Sequence, residues 1–213
     1  MKIKQFELNH FGMNCFVLWD ESTKQCAIVD PGAETSYEEA QVTQYIDEHG
    51  LLPKLILLTH AHVDHIAGLR EMCELYKLPV TMHPDGKVLL RQAGAYGAVM
   101  GFEVENMDTL DVVEIQDNDV LQLGEERIEC RAVPGHCPGS MAYVVPSAKV
   151  VLTGDALFRG SIGRTDLPGG NYATLIEKIR TRLLTLPDDY EVLPGHGDIS
   201  SIGVERLYNG FLI

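Results

Sequence analysis

Apolar residues in this chain gather into short runs of strand length, and several of those runs stop at a turn followed by His or Asp. Alternation of polar and apolar positions predicts strands over 3–8, 14–20 and 25–30. Asp20-Glu21-Ser22-Thr23-Lys24 makes a hairpin-like connection, and Asp30-Pro31-Gly32 stops the third strand. Thr35-x-x-Glu38 and Ser36-x-x-Glu39 both fit a helix-capping box. Val42, Tyr45, Ile46 and His49 follow at helical spacing, and Gly50 with Pro53 ends that helix. His49 then reads as a solvated residue at the helix C-terminus. Residues 55–59 form a central strand, and a second helix runs from His65 to about Tyr76, with Ile66, Leu69, Cys73 and Tyr76 inward.

Pro79-Val80-Thr81-Met82-His83 reads as a short strand leading into a helix from Pro84, since proline suits a first turn. His83 is either a rim residue or a cap. Over 93–109 neither helical nor strand period holds. That stretch is either a mobile flap or an irregular helix and loop packed on the core. From 110 to 153 nearly everything is β, with strands near 111–115, 119–123, 127–133, 140–146 and 149–153. A long loop spans 156–170. A helix capped by Asn171 buries Tyr172, Leu175, Ile176, Ile179 and Leu183, a last strand leads to His196, and a short helix covers about 201–209. Helices therefore flank two β-rich halves, which predicts an α/β protein built as a four-layer αββα sandwich.

Composition narrows the function. The chain has 213 residues, 45% of them hydrophobic, which is enough for one packed domain over 1–213. No apolar run approaches the ~18 residues of a membrane span, and the start lacks the pattern of a signal peptide. We therefore expect a cytoplasmic protein with no membrane partner. A formal net charge of −14 argues against nucleic acid as a partner. Five cysteines with no Cys-x-x-Cys pair are expected to be reduced and buried, Cys137 being notable for following His136 directly.

The chemistry lies at the ends of the strands. His60 and His62 are two apart at a strand exit, so both side chains face one side, as two ligands to one ion require. Asp64 and His65 follow at the start of a helix and diverge towards a second ion. His136, Asp155 and His196, each after a Gly-containing turn, supply the closing ligands from three other strand ends. Imidazoles with a few carboxylates suit zinc first, with iron or manganese as alternatives. Asp155 is the best candidate for a carboxylate shared by two ions about 3.5–4 Å apart. Such a pair makes hydroxide from a bridging water near neutral pH, and that hydroxide can attack an ester or thioester carbonyl.

Thr59-His60-Ala61-His62-Val63-Asp64-His65 resembles the His-x-His-x-Asp-His signature of the metallo-β-lactamase superfamily. Pro-Gly-His136-Cys-Pro-Gly-Ser, Thr-Gly-Asp155 and Pro-Gly-His196-Gly are similar to its later motifs, in the same order. Residues 158–170 and 202–212 look like the short glyoxalase II-like hydrolases of that superfamily. The resemblance implies His60, His62 and His136 on one metal, Asp64, His65 and His196 on the other, and Asp155 between them. It implies two zinc ions per chain, and a small-molecule thioester of the S-lactoylglutathione type as substrate.

Two departures bear on that substrate. Full-length glyoxalase II enzymes carry a helical C-terminal extension that helps hold glutathione, and this chain is expected to lack it. Where those enzymes have a Lys-Phe-Tyr-like sequence, this chain has Arg164-Thr165-Asp166. Arg164 and Asp166 either touch the substrate, Arg164 clamping a carboxylate, or pair with each other to brace the loop. The Gly-Arg-Thr-Asp stretch also resembles the persulfide dioxygenases. That alternative uses one iron, held by His60 or His62 with His136 and Asp155. A nuclease and a non-catalytic metal-binding module are further readings. The acidic charge opposes the first, and the full ligand set opposes the second.

Overall fold

The computed structural model describes residues 1–213. Two six-stranded sheets make its middle. In the first, Lys2–Leu8 (β1), Met13–Trp19 (β2), Gln25–Val29 (β3), Leu52–Leu57 (β4), Val80–Met82 (β5) and Val112–Glu114 (β6) lie in the order β1-β2-β3-β4-β5-β6. The second holds Val120–Leu123 (β7), Glu126–Ala132 (β8), Met141–Val145 (β9), Val150–Gly154 (β10), Glu191–Pro194 (β13) and Ser200–Ser201 (β14), in the order β14-β13-β10-β9-β8-β7. Between β10 and β13, Leu157–Phe158 (β11) and Ser161–Ile162 (β12) form a small hairpin within the long loop expected over 156–170.

The layering follows from which way alternate side chains point. In β2, Cys15 and Val17 enter one core cluster while Phe16 and Leu18 enter another. In β9, Met141, Tyr143 and Val145 join Phe16 and Leu18 between the sheets, and Ala142 and Val144 face the other way. A strand buried on both faces must be apolar at every position, which is why these runs are continuous rather than alternating. The outer face of the first sheet is covered by Ser36–Glu48 (α1), Val63–Ile66 (α2), Leu69–Tyr76 (α3) and Lys87–Met100 (α4). Tyr172–Lys178 (α5) and Ile202–Tyr208 (α6) cover the second sheet. The four layers are thus αββα, as the pattern predicts. Across the inner core the Tyr143 hydroxyl donates to the Leu58 carbonyl at 2.6 Å, tying the two sheets together.

Several local expectations hold at the level of hydrogen bonds. Thr35 and Glu38 form the reciprocal capping box of α1. His49 caps the other end, its ring stacked on Tyr45. His83 is a cap, its Nδ1 accepting the Asp85 N–H at 3.2 Å. All five cysteines are buried and unpaired. No helix is long and apolar enough to cross a membrane.

Other expectations need correction. The helix expected from His65 to Tyr76 is two, broken at Ala67-Gly68, because the Gly68 N–H is drawn to the Pro31 carbonyl at 2.9 Å. Of the two readings for 93–109, the helix and loop packed on the core is the one found, and only the helix start differs: 93–100 are regular helix. They continue α4, which buries Leu89, Leu90, Ala93 and Gly97 on one face. The glycines that obscure its period are there for close packing. A Cβ on Gly97 would sit 2.5 Å from Val104 Cγ2, so the returning segment can lie flat on the helix only where no side chain intervenes. Tyr172, expected inside, is half exposed, and the first buried residue of α5 is Leu175.

Candidate metal centre

Five loops converge where the two sheets meet. β3 ends at Asp30, β4 leads to His60 and His62, β8 leads by a turn to His136, β10 delivers Asp155, and β13 delivers His196. The first turn of α2 adds Asp64 and His65, both buried. The sheets are laced together at this end. Met141 N–H donates to the Thr59 carbonyl at 2.7 Å, Asn14 N–H to Gly195 O at 2.7 Å, and Asn14 Nδ2 to Pro194 O at 3.0 Å. Each bond joins one sheet, or the turn leaving it, to the other, so the site is set by the sandwich and not by either half.

All seven sequence-predicted ligands come together. Donor atoms of His60, His62 and His136 lie within 4.8 Å of one another, and so do those of Asp64, His65 and His196. Asp155 stands between the two groups. Its Oδ2 is 3.6 Å from His136 Nε2, and its Oδ1 is 3.3 Å from His65 Nε2 and 3.7 Å from His196 Nε2. Asp64 Oδ2 is 3.1 Å from His196 Nε2 and 3.7 Å from His65 Nε2. Donors held about 2.0–2.2 Å from a tetrahedral ion would be about 3.3–3.6 Å apart, and the Asp155 contacts to His136 and His65 fall in that range. His60 Nε2 and Asp155 Oδ1 are buried with no hydrogen-bond partner. Orphaned polar atoms in a buried cluster are costly unless something binds them, and divalent metals fit this donor set.

The ring nitrogens that face away from the cluster are held in turn. His65 Nδ1 lies 3.0 Å from Asp30 Oδ2, His136 Nδ1 donates to the Arg164 carbonyl at 2.8 Å, and His196 Nδ1 lies 3.3 Å from Phe11 O. Such contacts fix tautomer and ring orientation. Asp30 does the most here. Besides His65 it accepts from the Thr59 N–H at 2.7 Å and the Thr59 hydroxyl at 2.6 Å, and that hydroxyl lies 3.1 Å from His60 Nδ1. The sequence reading took Asp30 only as a strand stop. Its signal was present in part, since Asp30, like Asp155, is an aspartate at the exit of a buried strand, although it precedes its Pro-Gly turn.

Gly195 leaves room for this arrangement. A Cβ there would sit 2.4 Å from Asp155 Oδ1 and 2.7 Å from His65 Cε1. Cys137 lies within the same 4.8 Å group as His60, His62 and His136. Burial pushes its thiol up to about 12, and its sulfur is 3.3 Å from Ser140 Oγ, so it packs as a neutral thiol. Arg164 and Asp166 pair with each other at the rim. Arg164 Nε and a terminal guanidinium nitrogen donate to the two Asp166 oxygens at 2.8 and 2.7 Å.

The two halves of the cluster differ electrostatically. Burial, helped by the neighbouring imidazoles, lowers His60 well below the usual histidine range and His62 to about 4. Burial also opposes charge on His65, but the carboxylates of Asp64, Asp155 and Asp30 outweigh it and raise that imidazole well above its usual value. His196 is raised in the same way by Asp64 and Asp155. Protons and metal compete for the same nitrogens, so lowering the pH should empty the His65 and His196 side first. Titrating metal-free protein against a chromophoric chelator should show fewer bound equivalents at mildly acidic than at mildly alkaline pH. Equal stoichiometry at both would contradict this asymmetry.

A cleft of about 350 Å³ opens over the donors, walled on one side by α4. With the centre so defined, its relatives can be compared. Residues 9–196 match the profile of the metallo-beta-lactamase superfamily. The chain is 41% identical to the "Probable metallo-hydrolase YqgX" of Bacillus subtilis over 100% of this chain and 98% of that protein. It is 36% identical to the "Hydroxyacylglutathione hydrolase GloC" of Haemophilus influenzae, again over 100% and 98%. Among solved structures, the BLEG-1 B3 metallo-beta-lactamase superposes with a TM-score of 0.90 at 31% identity, covering 99% of each chain. TTHA1623 in a di-iron-bound form gives 0.87 at 32% identity, covering 98% of this chain and all of that one. With nearly its whole length matched in sequence and in structure, the chain belongs to the metallo-beta-lactamase superfamily.

Proposed function

We propose that this protein hydrolyses thioesters, with 2-hydroxyacyl thioesters, whose acyl half is that of S-lactoylglutathione, as the leading class. The observation that carries the reading is the placement of Asp155, one oxygen towards each of two three-residue donor groups. That geometry suits a pair of ions better than one. Similarity to a hydroxyacylglutathione hydrolase along the full length supports the chemistry, and similarity to a di-iron protein supports a binuclear centre.

His60, His62 and His136 would hold one ion, Asp64, His65 and His196 the other, and Asp155 both. When bound, zinc or iron would supply an acidified water and a Lewis acid for the carbonyl. The chain does the rest. Asp155, held well below the usual carboxylate range by His65, His196 and His136 against the cost of burial, stays anionic and keeps the two halves in register. Asp64 lies at the cleft floor beside His196, its Oδ2 turned to His196 and His65, so it stays anionic and orients that half of the centre. Asn9 Nδ2 donates to the Asp64 main-chain carbonyl at 2.8 Å and fixes the turn that presents it. The apolar cleft walls limit the approach of other waters. The products are a hydroxy acid and a free thiol.

Metal analysis of protein produced with zinc and iron both supplied, followed by a thioester panel after defined reconstitution, tests the proposal. About two ions per chain together with thioester turnover is the expected result. A single iron per chain, with oxygen consumed on a thiol persulfide and no thioester cleavage, would favour the dioxygenase alternative instead.

A further inference from the structure

The walls of the cleft are apolar, and its rim lacks a free cation. Leu89, Tyr96 and Met100 of α4 face Leu167 and Pro168 across the donors, and Phe11 closes one end. The Phe11 ring is held against His10 and the buried Phe102 at centroid distances of 4.5 and 5.3 Å, while its carbonyl faces His196 Nδ1. The apolar wall and the metal-side histidine are therefore fixed by the same residue. Among the lining residues Arg164 is the one lysine or arginine, and its guanidinium is clamped on Asp166. Arg159, at the turn of the β11–β12 hairpin, is likewise paired with Asp198 at 3.0 Å.

A thiol such as glutathione brings two carboxylates. Seating them here would desolvate anions against apolar walls whose one lining arginine is already paired, which is unfavourable. An uncharged hydrocarbon thiol would gain from the same walls. Resting on the thioester-hydrolase reading, we infer that the thiol half of the preferred substrate is neutral and apolar and sits against the α4 wall at Tyr96 and Met100.

Two arms test this. The first compares kcat/KM for S-lactoyl thioesters of phenylmethanethiol and of glutathione on the metal-loaded enzyme. We expect the apolar ester to be favoured by at least about 10-fold, the scale on which hydrophobic pockets discriminate. The second measures, by calorimetry, binding of the matching non-hydrolysable 2-hydroxypropyl thioethers, with the same preference expected. Met100→Lys should weaken the benzyl thioether, strengthen the glutathione one, and act on KM rather than kcat. Met100→Gln should move both in the same direction by less, should the lysine variant not fold. Equal or tighter binding of the glutathione thioether, or a preference unmoved in both variants, overturns the inference. Failure to cleave either ester sinks the hydrolase reading, and the binding arm then decides the inference alone.

Discussion

Asp155→Ala should yield a folded protein that no longer retains two metal ions and hydrolyses no thioester above the uncatalysed background. The reason is positional. Asp155 is the one side chain whose two oxygens face both donor groups, so its loss separates a shared centre into two incomplete ones. The β10 strand that carries it is anchored independently. Val150, Val151 and Leu152 are buried and paired with both β9 and β13, so the fold does not depend on the carboxylate. Elemental analysis, circular dichroism and a thioester assay on one preparation are the check. Full turnover with two ions bound in Asp155→Ala would remove the basis for the binuclear proposal.

Asp30→Ala should be the most destabilising single change at the site, although Asp30 is not among the proposed ligands. It removes the partner of the Thr59 N–H, the Thr59 hydroxyl and the His65 ring, all buried. Breaking a buried, hydrogen-bonded charge of this kind costs about 3–5 kcal/mol. Alanine is also strained here, because Asp30 has φ +52°, a left-handed conformation that Asp and Asn tolerate better. Asp30→Asn keeps that backbone and isolates the charge. It should fold with a smaller loss of stability and bind metal about 10–100-fold more weakly, the usual penalty for removing a carboxylate behind a metal-binding histidine. Chemical denaturation of the metal-free variants and competitive metal titration separate the two effects. Wild-type metal affinity in Asp30→Asn would show that the carboxylate is structural only.

How much of this was legible in the sequence depends on range. The strands of both sheets other than Ser200–Ser201, the Thr35–Glu38 capping box and the helical stripe of α1 follow from neighbours two to four residues apart, and these were read with small boundary errors. The α2–α3 break at Gly68 was invisible because its cause, the Pro31 carbonyl, lies 37 positions earlier in the chain. In α4, Gly94 and Gly97 hid the helical period, since their role is defined by the loop at Val104 and Asn106 that lies on them. The pairing of Arg164 with Asp166 was one of two options on paper. Spacing alone allows either, and the loop conformation chose the bidentate pair.

By itself the sequence determined the residue types of the centre and their delivery at strand ends, because a turn after a buried strand is a local pattern. The family followed from the same motifs. Tertiary structure alone decided which oxygen of Asp155 faces which histidines, that Asp30 stands behind His65 and Thr59, and that α4 walls the cleft with apolar side chains. Those contacts join residues from about 19 to 90 positions apart. They are set by how two independently patterned sheets stack, which no short window of sequence encodes.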